Sequence, residues 1–590
     1  IDKGNRGVDS VMGTCFTTDT PLRVSHLGID SAISLVDDRL LERIGTFYAK
    51  KFDIPYTVYP SVEHARAKRI AEYLNLIHFL SEKNFRRVLA EPFTGNSDKD
   101  RYFKMLPTDD PLRKRYLRML SMPKGEMRSN EAQDLADAMQ PGKIDVNIMV
   151  KLDRPGFDDA KEALRGYAES ELSGNSSLIL SAGINQALFS EMEKFPCFYR
   201  NADGCFDKKI TLKISDFRSA LVQGKFLARK GLEVSEYRIE SGLNCGGHLF
   251  PSDGELLSVI LDEFKEKKEL LYTQFRKVVA KYYGEHGLDT TRLKPFTPRF
   301  TVQGGIGNFG ESERLLKIYE MDGCGWGSPF LLVPEATLVD SETRKLLCEA
   351  KSDDILISEA SPIGVPFSNL KTCGAEKERL ENIRRGVPGA PCIKGFLQNN
   401  TEFSERPICT ASREYQNQKL RQIENQPISD AEKEREKKAV LEKTCICHKL
   451  GNSALVALGL ESSKTAPASI CPGPNLAYFH RTFSLEEMVD LIYGRVDSLS
   501  SLDRPHLFAL EILLYAKWFR SEIEKARDNS DALKKFKLIA ENLKSGMEKA
   551  CEISKSHAFD GENLESIQEA VSEAMPMIEN FLGGCSELSG

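Results

Sequence analysis

Three glycine-rich stretches mark positions where this chain could bind a phosphate group. They lie at 246–248, 304–307 and 323–330, and the first two follow apolar, β-branched runs that lead up to Glu240 and Val302. Glycine at the carboxyl end of a strand lets a loop turn sharply and lets the backbone approach a ligand closely. Several such loops at one end of a parallel barrel expose backbone N–H groups, which bind phosphate. The pattern predicts a phosphate-bearing cofactor and therefore a cofactor-dependent enzyme.

A second set of residues that could do chemistry is a group of four cysteines, Cys409, Cys445, Cys447 and Cys471. The Cys-x-Cys spacing places two thiols within reach of one centre, and His448 adds a further candidate ligand. Four thiolates are the usual ligands of an iron–sulfur cluster, and a four-coordinate zinc ion would use the same set. The intervals between these cysteines match no standard local signature. Ordinary buried thiols are therefore a third interpretation.

The other cysteines have simpler explanations. Cys373 and Cys392 lie in predicted turns and are reserve ligands, whereas Cys245 and Cys324 lie inside the glycine-rich loops, where a small side chain permits close approach. The fourteen cysteines of the whole chain are far sparser than those of a disulfide-stabilised scaffold. Reduced thiols and a cytoplasmic location are the expectation.

Length and composition exclude several classes of protein. A chain of 590 residues is too long for one ordinary core and predicts two to four domains. The net charge of −6 gives no support to a nucleic-acid partner. The longest apolar stretches, such as 508–519, are interrupted by Glu511 and Lys517 and fall short of the ~20 apolar residues that a membrane span needs.

Between about residues 20 and 345, short β-rich runs alternate with longer amphipathic stretches. This alternation predicts parallel βα units, which must position these residues. The strand candidates are 22–26, 32–36, 144–152, 177–181, 210–214, 237–240, 299–303 and a short run before Gly323. Eight candidates predict an α/β fold, a (β/α)8 TIM barrel with helical insertions at about 40–140 and at 254–295.

The C-terminal half has a different character and predicts two further regions. Proline and glycine cluster at 361–366 and 386–391, which indicates a crossing segment with little regular structure. The strongly charged stretch 410–443 is typical of a solvated helix. A capping box at Ser484 and Glu487 starts a helical tail. We therefore divide the chain into a barrel at 1–345, an irregular and helical cysteine-containing region at 346–483 with a candidate iron–sulfur site, and a tail at 484–590.

Four short motifs occur in chain order at the predicted strand ends. They are Val146-Asn147 followed by apolar residues, the Gly-x-x-x-Gly-Gly-His loop at 242–248, Gly304-Gly305-Ile306, and a loop at 327–332 that begins Gly327-Ser328. In this order they resemble the flavin-dependent nitronate monooxygenase and enoyl-ACP reductase II family, whose members are FMN-binding TIM barrels. The resemblance covers the barrel half and leaves the C-terminal half unexplained.

The resemblance implies a role for individual residues. The residues that it assigns to FMN are Asn147, Lys213, Gly246, Gly247, Gly304, Gly305, Gly325, Gly327 and Ser328. The later glycines and the serine would hold the phosphate, Asn147 would hydrogen-bond the ring edge, and His248 would be the catalytic acid/base or substrate clamp. Lys213 would place a cation near the flavin N1–C2 region, or would instead pair with Asp216 or Glu240. His248 has a simpler alternative as a packed turn histidine.

These observations favour an FMN-dependent oxidoreductase of the nitronate monooxygenase or enoyl reductase type, with electrons passing through an iron–sulfur cluster if the cysteines bind one. The expected partners are a small-molecule substrate, NAD(P)H or another electron-transfer partner, and further copies of the chain in a homo-oligomer. One alternative is a non-redox TIM-barrel enzyme that acts on a phosphorylated metabolite, because such barrels bind many phosphates with the same late loops. Another is a scaffold subunit of a larger complex.

Overall fold

A parallel sheet of seven strands, hydrogen-bonded in chain order from first to last, is the central element of the fold. The structure is a computed structural model that describes residues 16–149, 158–174, 176–181, 183–526 and 530–587. The strands of the sheet are β1 (Ser31–Ser34), β2 (Ile144–Ile148), β3 (Ser177–Leu180), β4 (Lys209–Ile214), β5 (Glu236–Glu240), β6 (Arg299–Gln303) and β7 (Gly323–Gly325). A separate antiparallel hairpin pairs β8 (Ile355–Ser358) with β9 (Phe367–Leu370).

Helices cover the sheet and fill the rest of the described chain. They are α1 (Thr20–Val24), α2 (Asp38–Phe52), α3 (Ala65–Ala90), α4 (Asp98–Lys104), α5 (Pro111–Ser121), α6 (Glu126–Asp137), α7 (Asp159–Glu169), α8 (Gln186–Met192), α9 (Phe217–Ala228), α10 (Leu257–Glu285), α11 (Phe309–Lys317), α12 (Ser341–Glu349), α13 (Gly374–Arg384), α14 (Arg413–Glu424), α15 (Asp430–Glu442), α16 (Ile446–Lys449), α17 (Asn452–Ala457), α18 (Leu485–Ile492), α19 (Leu507–Lys525), α20 (Ser530–Ser554) and α21 (Glu565–Glu587).

The strands form where short runs of apolar residues can be buried on both faces. Val146, Leu178 and Leu212 lie on three neighbouring strands and are fully buried. Parallel strands are normally covered by helices on their faces, so near-continuous apolar runs are typical of them. Single helices follow β2, β3, β4, β5 and β6, which gives the predicted βα order.

Six of the eight strand predictions correspond to strands, with ends that differ by at most four residues. The prediction for 144–152 ends in the structure at Ile148, and its last residues, 150–152, lie outside the described residues. The short run before Gly323 is not a strand, because β7 begins at Gly323 itself. The described chain shows an α/β protein with seven parallel strands. No pairing of β7 with β1 is found among these residues, so a closed eight-stranded barrel stays a prediction.

The prediction of a strand at 22–26 is wrong. This segment forms α1 and a 3-10 turn, Ser25–Leu27. Proline at position 21 supplies the fixed φ that suits the first turn of a helix. Arg23 pairs with Asp19 at 2.7 Å, one helical turn away, and Asp19 also accepts a hydrogen bond from Tyr48. The apolar alternation of the segment therefore serves helix packing.

Outside the sheet, the helical content agrees with the predictions from the sequence, and the bounds of individual elements differ from them. The 40–140 region is helical and has a small core of its own, centred on Tyr102, Phe103 and Tyr116. The proline-rich stretch 361–366 is the turn of the β8–β9 hairpin, which the sequence did not predict. The charged stretch divides into α14 and α15, and the capping box of Ser484 with Glu487 is present at the start of α18.

The main hydrophobic core contains residues from all three predicted regions. It extends from Phe16 through the sheet to Ile578 in α21. Buried side chains of α19, such as Phe508 and Tyr515, belong to the same cluster as Ile239 and Val302 of the sheet. Within the described residues no helix combines the length and the apolarity that crossing a membrane requires.

Candidate functional site

A cavity of about 230 Å³ lies at the carboxyl ends of the seven parallel strands. Each strand contributes to its wall a residue that lies within one position of the strand's last residue. These residues are Ser34, Asn147, Ser181, Lys213, Glu240, Gln303 and Gly325. In parallel α/β barrels this is the face on which active sites are built. The topology therefore places side chains from all seven strands around one cavity.

All ten residues that the sequence assigned to the cofactor or to catalysis lie on this wall. They are Asn147, Lys213, Gly246, Gly247, His248, Gly304, Gly305, Gly325, Gly327 and Ser328. They come from five separate parts of the chain and meet only in the folded protein. Their positions agree with the predicted site, and their roles stay predictions.

The loop after β6 exposes backbone donors. Gly304 and Gly305 have positive φ angles of 118° and 78°, which glycine adopts without strain. Within the described chain no acceptor contacts the backbone N–H of Gly304, Gly305 or Ile306. A loop of this kind can present successive N–H groups to an anion. A side chain at 305 would overlap the amide of Asn244, so glycine is required there.

A buried ion pair fixes the shape of this loop. Arg504 contacts both carboxylate oxygens of Glu311, at 2.8 and 2.9 Å, and donates to the carbonyl of Gly305 at 2.6 Å. Glu311 in turn accepts from the backbone N–H of Gly307 at 2.8 Å. Asn475 donates to the carbonyl of Ile306 at 2.9 Å. Sequence reasoning missed Arg504 and Asn475, because both come from the C-terminal half and no local spacing connects them with the loop.

The loop after β7 provides free space and a hydroxyl. Gly327 lines the cavity, and a Cβ atom placed there would meet no atom within 4 Å. The Ser328 hydroxyl oxygen accepts from the backbone N–H of Gly473 at 2.6 Å. The hydroxyl hydrogen of Ser328 can therefore still donate to a ligand.

Four polar side chains, those of Asn147, Lys213, Glu240 and Gln303, line the cavity at the strand ends. The Asn147 amide oxygen is buried and has no hydrogen-bond partner among the described residues. Lys213 Nζ lies 2.7 Å from Glu240 Oε1, and the same oxygen accepts from Gln303. Of the alternatives for Lys213, the pairing with Glu240 is present. The Lys213 ammonium group therefore faces the cavity as one partner of an ion pair.

His248 is held by the β8–β9 hairpin. Its Nε2 lies 2.7 Å from the hydroxyl of Ser361, which is fully buried, and its ring packs edge-on against Phe367 with centroids 5.1 Å apart. A backbone bridge also joins His248 and Phe367. The cysteine-containing region therefore reaches the site through this hairpin. Because imidazole titrates near neutrality, His248 can donate or accept a proton on the cavity wall.

The four predicted metal ligands do not lie together. Cys471 lies on the cavity wall beside Gly246, and Cys409, Cys445 and Cys447 do not line the cavity. Burial raises the pKa of Cys471 to about 12, so its thiol stays protonated near neutral pH. Among the described residues, no group of three or more His, Cys, Asp or Glu side chains is placed so that it could hold a metal ion.

A buried carboxyl group lies behind the glycine-rich loop that follows β5. Glu511 of α19 accepts from the Ser241 hydroxyl at 2.5 Å and from the backbone N–H of Leu257 at 2.8 Å. Burial raises the pKa of Glu511 to about 7, and the two hydrogen bonds offset only part of that effect. The sequence showed Glu511 as a charge that interrupts an apolar run, which is the signal that could have identified it.

Comparisons with known proteins show limited similarity. No family model matches the chain, and no curated protein matches it. A solved structure similar to it is the enoyl reductase domain of MlnA from the macrolactin biosynthesis cluster of Bacillus amyloliquefaciens, at 16% identity and a TM-score of 0.34. That match covers 62% of this chain and 84% of the other. The site itself must therefore carry any proposal about function.

Proposed function

We propose that this chain is an FMN-dependent oxidoreductase that acts on a small molecule with an activated C=C or C–H bond, such as an enoyl thioester or a nitronate-like anion. The observation that carries this proposal is the composition of the cavity wall. Three glycine-rich loops, at least one residue from every strand and an amide oxygen without a partner in the described chain converge there. A largely preformed cavity with a few convergent polar groups is typical of a cofactor site.

The donors of the cavity fit the two ends of FMN. The backbone N–H groups of Gly304 and Gly305, the Ser328 hydroxyl and the open space at Gly327 suit a phosphate. The Asn147 amide oxygen, buried without a partner in the described chain, suits an N–H donor such as the edge of the flavin ring. A buried acceptor without a partner costs about 1–3 kcal/mol, so a ligand that donates to it gains that much affinity.

The chain's own residues would bind, orient and exchange a proton. FMN, when bound, accepts or donates a hydride or an electron pair. His248 would give or take the substrate proton, with Ser361 fixing the orientation of its ring. The Lys213–Glu240 pair would present a cation to the ring without leaving a buried charge unpaired.

Gly327→Val tests this proposal most cleanly. The backbone φ at Gly327 is −112°, outside the left-handed region that favours glycine, and the new side chain would enter open space on the cavity wall. We expect a folded protein whose FMN content, measured after acid release, falls at least about tenfold, equivalent to 1.4 kcal/mol. Gly305→Val is a poorer test, because a side chain at this position would overlap Asn244 and distort the loop.

Gly284→Val is the matched control. Gly284 is exposed near the end of α10, and a Cβ atom there would also meet nothing within 4 Å. This variant should keep the FMN content of the unmodified protein. Unchanged FMN retention in Gly327→Val would show that the phosphate does not lie at this loop. A protein that neither retains FMN nor binds it on reconstitution would contradict the proposed function itself.

A further inference from the structure

The guanidinium group of Arg504 is the centre of a hydrogen-bond network behind the glycine-rich loop at 304–307. Arg504 lies between α18 and α19 and is 4% exposed. Two of its nitrogens bind the carboxylate of Glu311, at 2.8 and 2.9 Å. Its Nη2 also donates to the carbonyl of Gly305 at 2.6 Å, and its Nε donates to the amide oxygen of Asn475 at 2.6 Å. Each of its three nitrogens therefore has an acceptor within the protein.

The bond from Arg504 fixes the orientation of one peptide group of the loop. In a planar trans peptide the C=O and the N–H point to opposite sides. The carbonyl of Gly305 and the N–H of Ile306 belong to the same peptide, so this N–H points away from Arg504. Ile306 lines the cavity, and among the described residues no acceptor contacts its N–H. The N–H of Ile306 is therefore left for a ligand.

The next peptide of the loop is used entirely within the protein. Asn475 donates to the carbonyl of Ile306 at 2.9 Å, and the N–H of Gly307 donates to Glu311 at 2.8 Å. Glu311 also accepts from the backbone N–H of Leu507, the first residue of α19, at 2.8 Å. The donors that the loop offers to a ligand therefore end at Ile306.

The ion pair leaves no net charge beside the loop. Glu311 is fully buried, and Arg504 neutralises it. Arg504 is not among the residues that line the cavity, so it can act on a ligand only through the backbone that it holds. A phosphate at this loop would thus be bound by oriented backbone N–H groups and not by the charge of Arg504.

We propose that Arg504 is a positioning residue for the binding of a phosphate monoester at this loop. It holds the Gly305–Ile306 peptide so that the N–H of Ile306 joins those of Gly304 and Gly305 as donors. Rotation of this peptide would instead present the carbonyl oxygen of Gly305 to the phosphate, and the two would repel each other. This role rests on the proposed function and deepens it, because it makes the C-terminal half responsible for the preference for phosphorylated over unphosphorylated flavin.

Arg504→Lys separates this role from a contribution to the fold. Lysine keeps a positive charge beside Glu311, but its single ammonium group cannot reproduce the planar fork of donors that also holds Gly305 and Asn475. Apoprotein is titrated with FMN and with riboflavin, which lacks the phosphate. We expect the Kd for FMN to rise about tenfold, the effect of one hydrogen bond to a charged group, and the Kd for riboflavin to change less than about twofold.

Arg314→Lys is the matched control. Arg314 lies on α11, directly after the loop, and is as buried as Arg504. Its side chain binds Glu562, Ser556 and His557 of the tail. This variant should keep the FMN preference of the unmodified protein, whatever its effect on stability.

A second loop variant serves if circular dichroism shows that Arg504→Lys does not fold. Asn475→Ala removes the acceptor of the Arg504 Nε and the donor to the carbonyl of Ile306. It should also lower the affinity for FMN more than the affinity for riboflavin.

Two outcomes would overturn the positioning role of Arg504. One is an unchanged preference for FMN over riboflavin in the folded loop variant, and the other is an equal loss of that preference in Arg314→Lys. Stabilisation by inorganic phosphate, measured as the shift of the urea midpoint, distinguishes this role from the proposed function. An unmodified chain that binds neither flavin would contradict the proposed function. The positioning role would then stand only if phosphate stabilised the unmodified chain and not the loop variant, and would be overturned otherwise.

Discussion

The side chains that face the cavity differ in whether their polar groups have hydrogen-bond or ion-pair partners within the protein. Lys213 and Glu240 neutralise each other, and His248 is oriented by Ser361. Asn147 is the contrast, because its amide oxygen is buried without a partner in the described chain. Since buried polar groups are normally hydrogen-bonded, we expect a ligand in the cavity to donate to this oxygen.

Asn147→Ala should weaken FMN binding without affecting the fold. Removal of one hydrogen bond to a buried acceptor costs about 0.5–1.5 kcal/mol, which corresponds to a loss of roughly two- to tenfold in affinity. The dissociation constant is measured by titrating apoprotein with FMN and following flavin fluorescence. Asn399→Ala, at an exposed position, is the control and should bind as the unmodified chain does. Equal affinities of the two variants would remove Asn147 from the cofactor site.

His248→Ala should retain FMN and lose turnover. General acid–base catalysis contributes about 10²–10⁴-fold, so we expect a loss of kcat in that range. Ser361→Ala removes only the group that orients the ring, and a smaller loss with an altered pH profile is expected. Measurement of kcat and flavin content in both variants separates the two roles. Undiminished kcat in His248→Ala would leave this residue as a packed turn histidine.

Sequence reasoning identified the residues of the site that carry local signals. Gly246, Gly304 and Gly327 stand out because glycine after an apolar run has a physical reason to be there. The contacts of Arg504 and Asn475 with the glycine-rich loop after β6 could not be predicted. Both depend on which distant segments meet, and spacing along the chain contains no information about that.

Helix α19 connects the C-terminal tail to the glycine-rich loop after β5. Its Glu511 binds the Ser241 hydroxyl and the first backbone N–H of α10, so one carboxyl group connects three elements. Burial keeps this group protonated to an unusually high pH, with a pKa of about 7. The stability of the protein should therefore depend on its protonation.

Glu511→Gln should remove a pH dependence from the free energy of unfolding. The native carboxyl binds its proton more tightly than the unfolded one, so its contribution is complete below about pH 4 and is lost as the pH rises through 7. Between pH 5 and 8 the unmodified protein should lose about 2–3 kcal/mol relative to the variant. Urea unfolding of both proteins across this range measures the difference. Parallel profiles would show that Glu511 is ionised throughout.

Elements were predicted well where periodicity was strong and poorly where the apolar pattern was short. Segments 177–180 and 299–303 are strands whose inner residues are buried in a parallel sheet. The run at 22–26 is equally apolar, yet Pro21 and the Asp19–Arg23 pair favour a helix. The β8–β9 hairpin was missed because its turn is rich in proline and glycine, which reads as irregular chain.

The whole described chain shares one main hydrophobic core, although its length predicted several domains. Side chains of the sheet, the cysteine-containing region and the tail pack in the same cluster. The Arg504–Glu311 and Arg314–Glu562 pairs, all four side chains at most 3% exposed, join the tail to the loop and helix after β6. A shared core of this kind predicts cooperative unfolding.

The two tryptophans of the chain can test this cooperativity. Trp326 lies on the cavity wall and Trp518 lies on α19. Trp326→Phe leaves a reporter in the tail, and Trp518→Phe leaves one at the site. In each variant, fluorescence and circular dichroism should report the same urea midpoint. A tail transition that precedes the loss of secondary structure would show that the C-terminal helices unfold independently.

The central claim is that the cavity at the strand ends holds FMN. The most direct test is an absorbance spectrum of the unmodified protein purified without oxygen, together with quantification of acid-released flavin. We predict oxidised-flavin bands after exposure to air and close to one FMN per chain. A colourless protein that does not bind FMN on reconstitution would contradict the account, and the glycine-rich loops would then have to serve a different phosphate ligand.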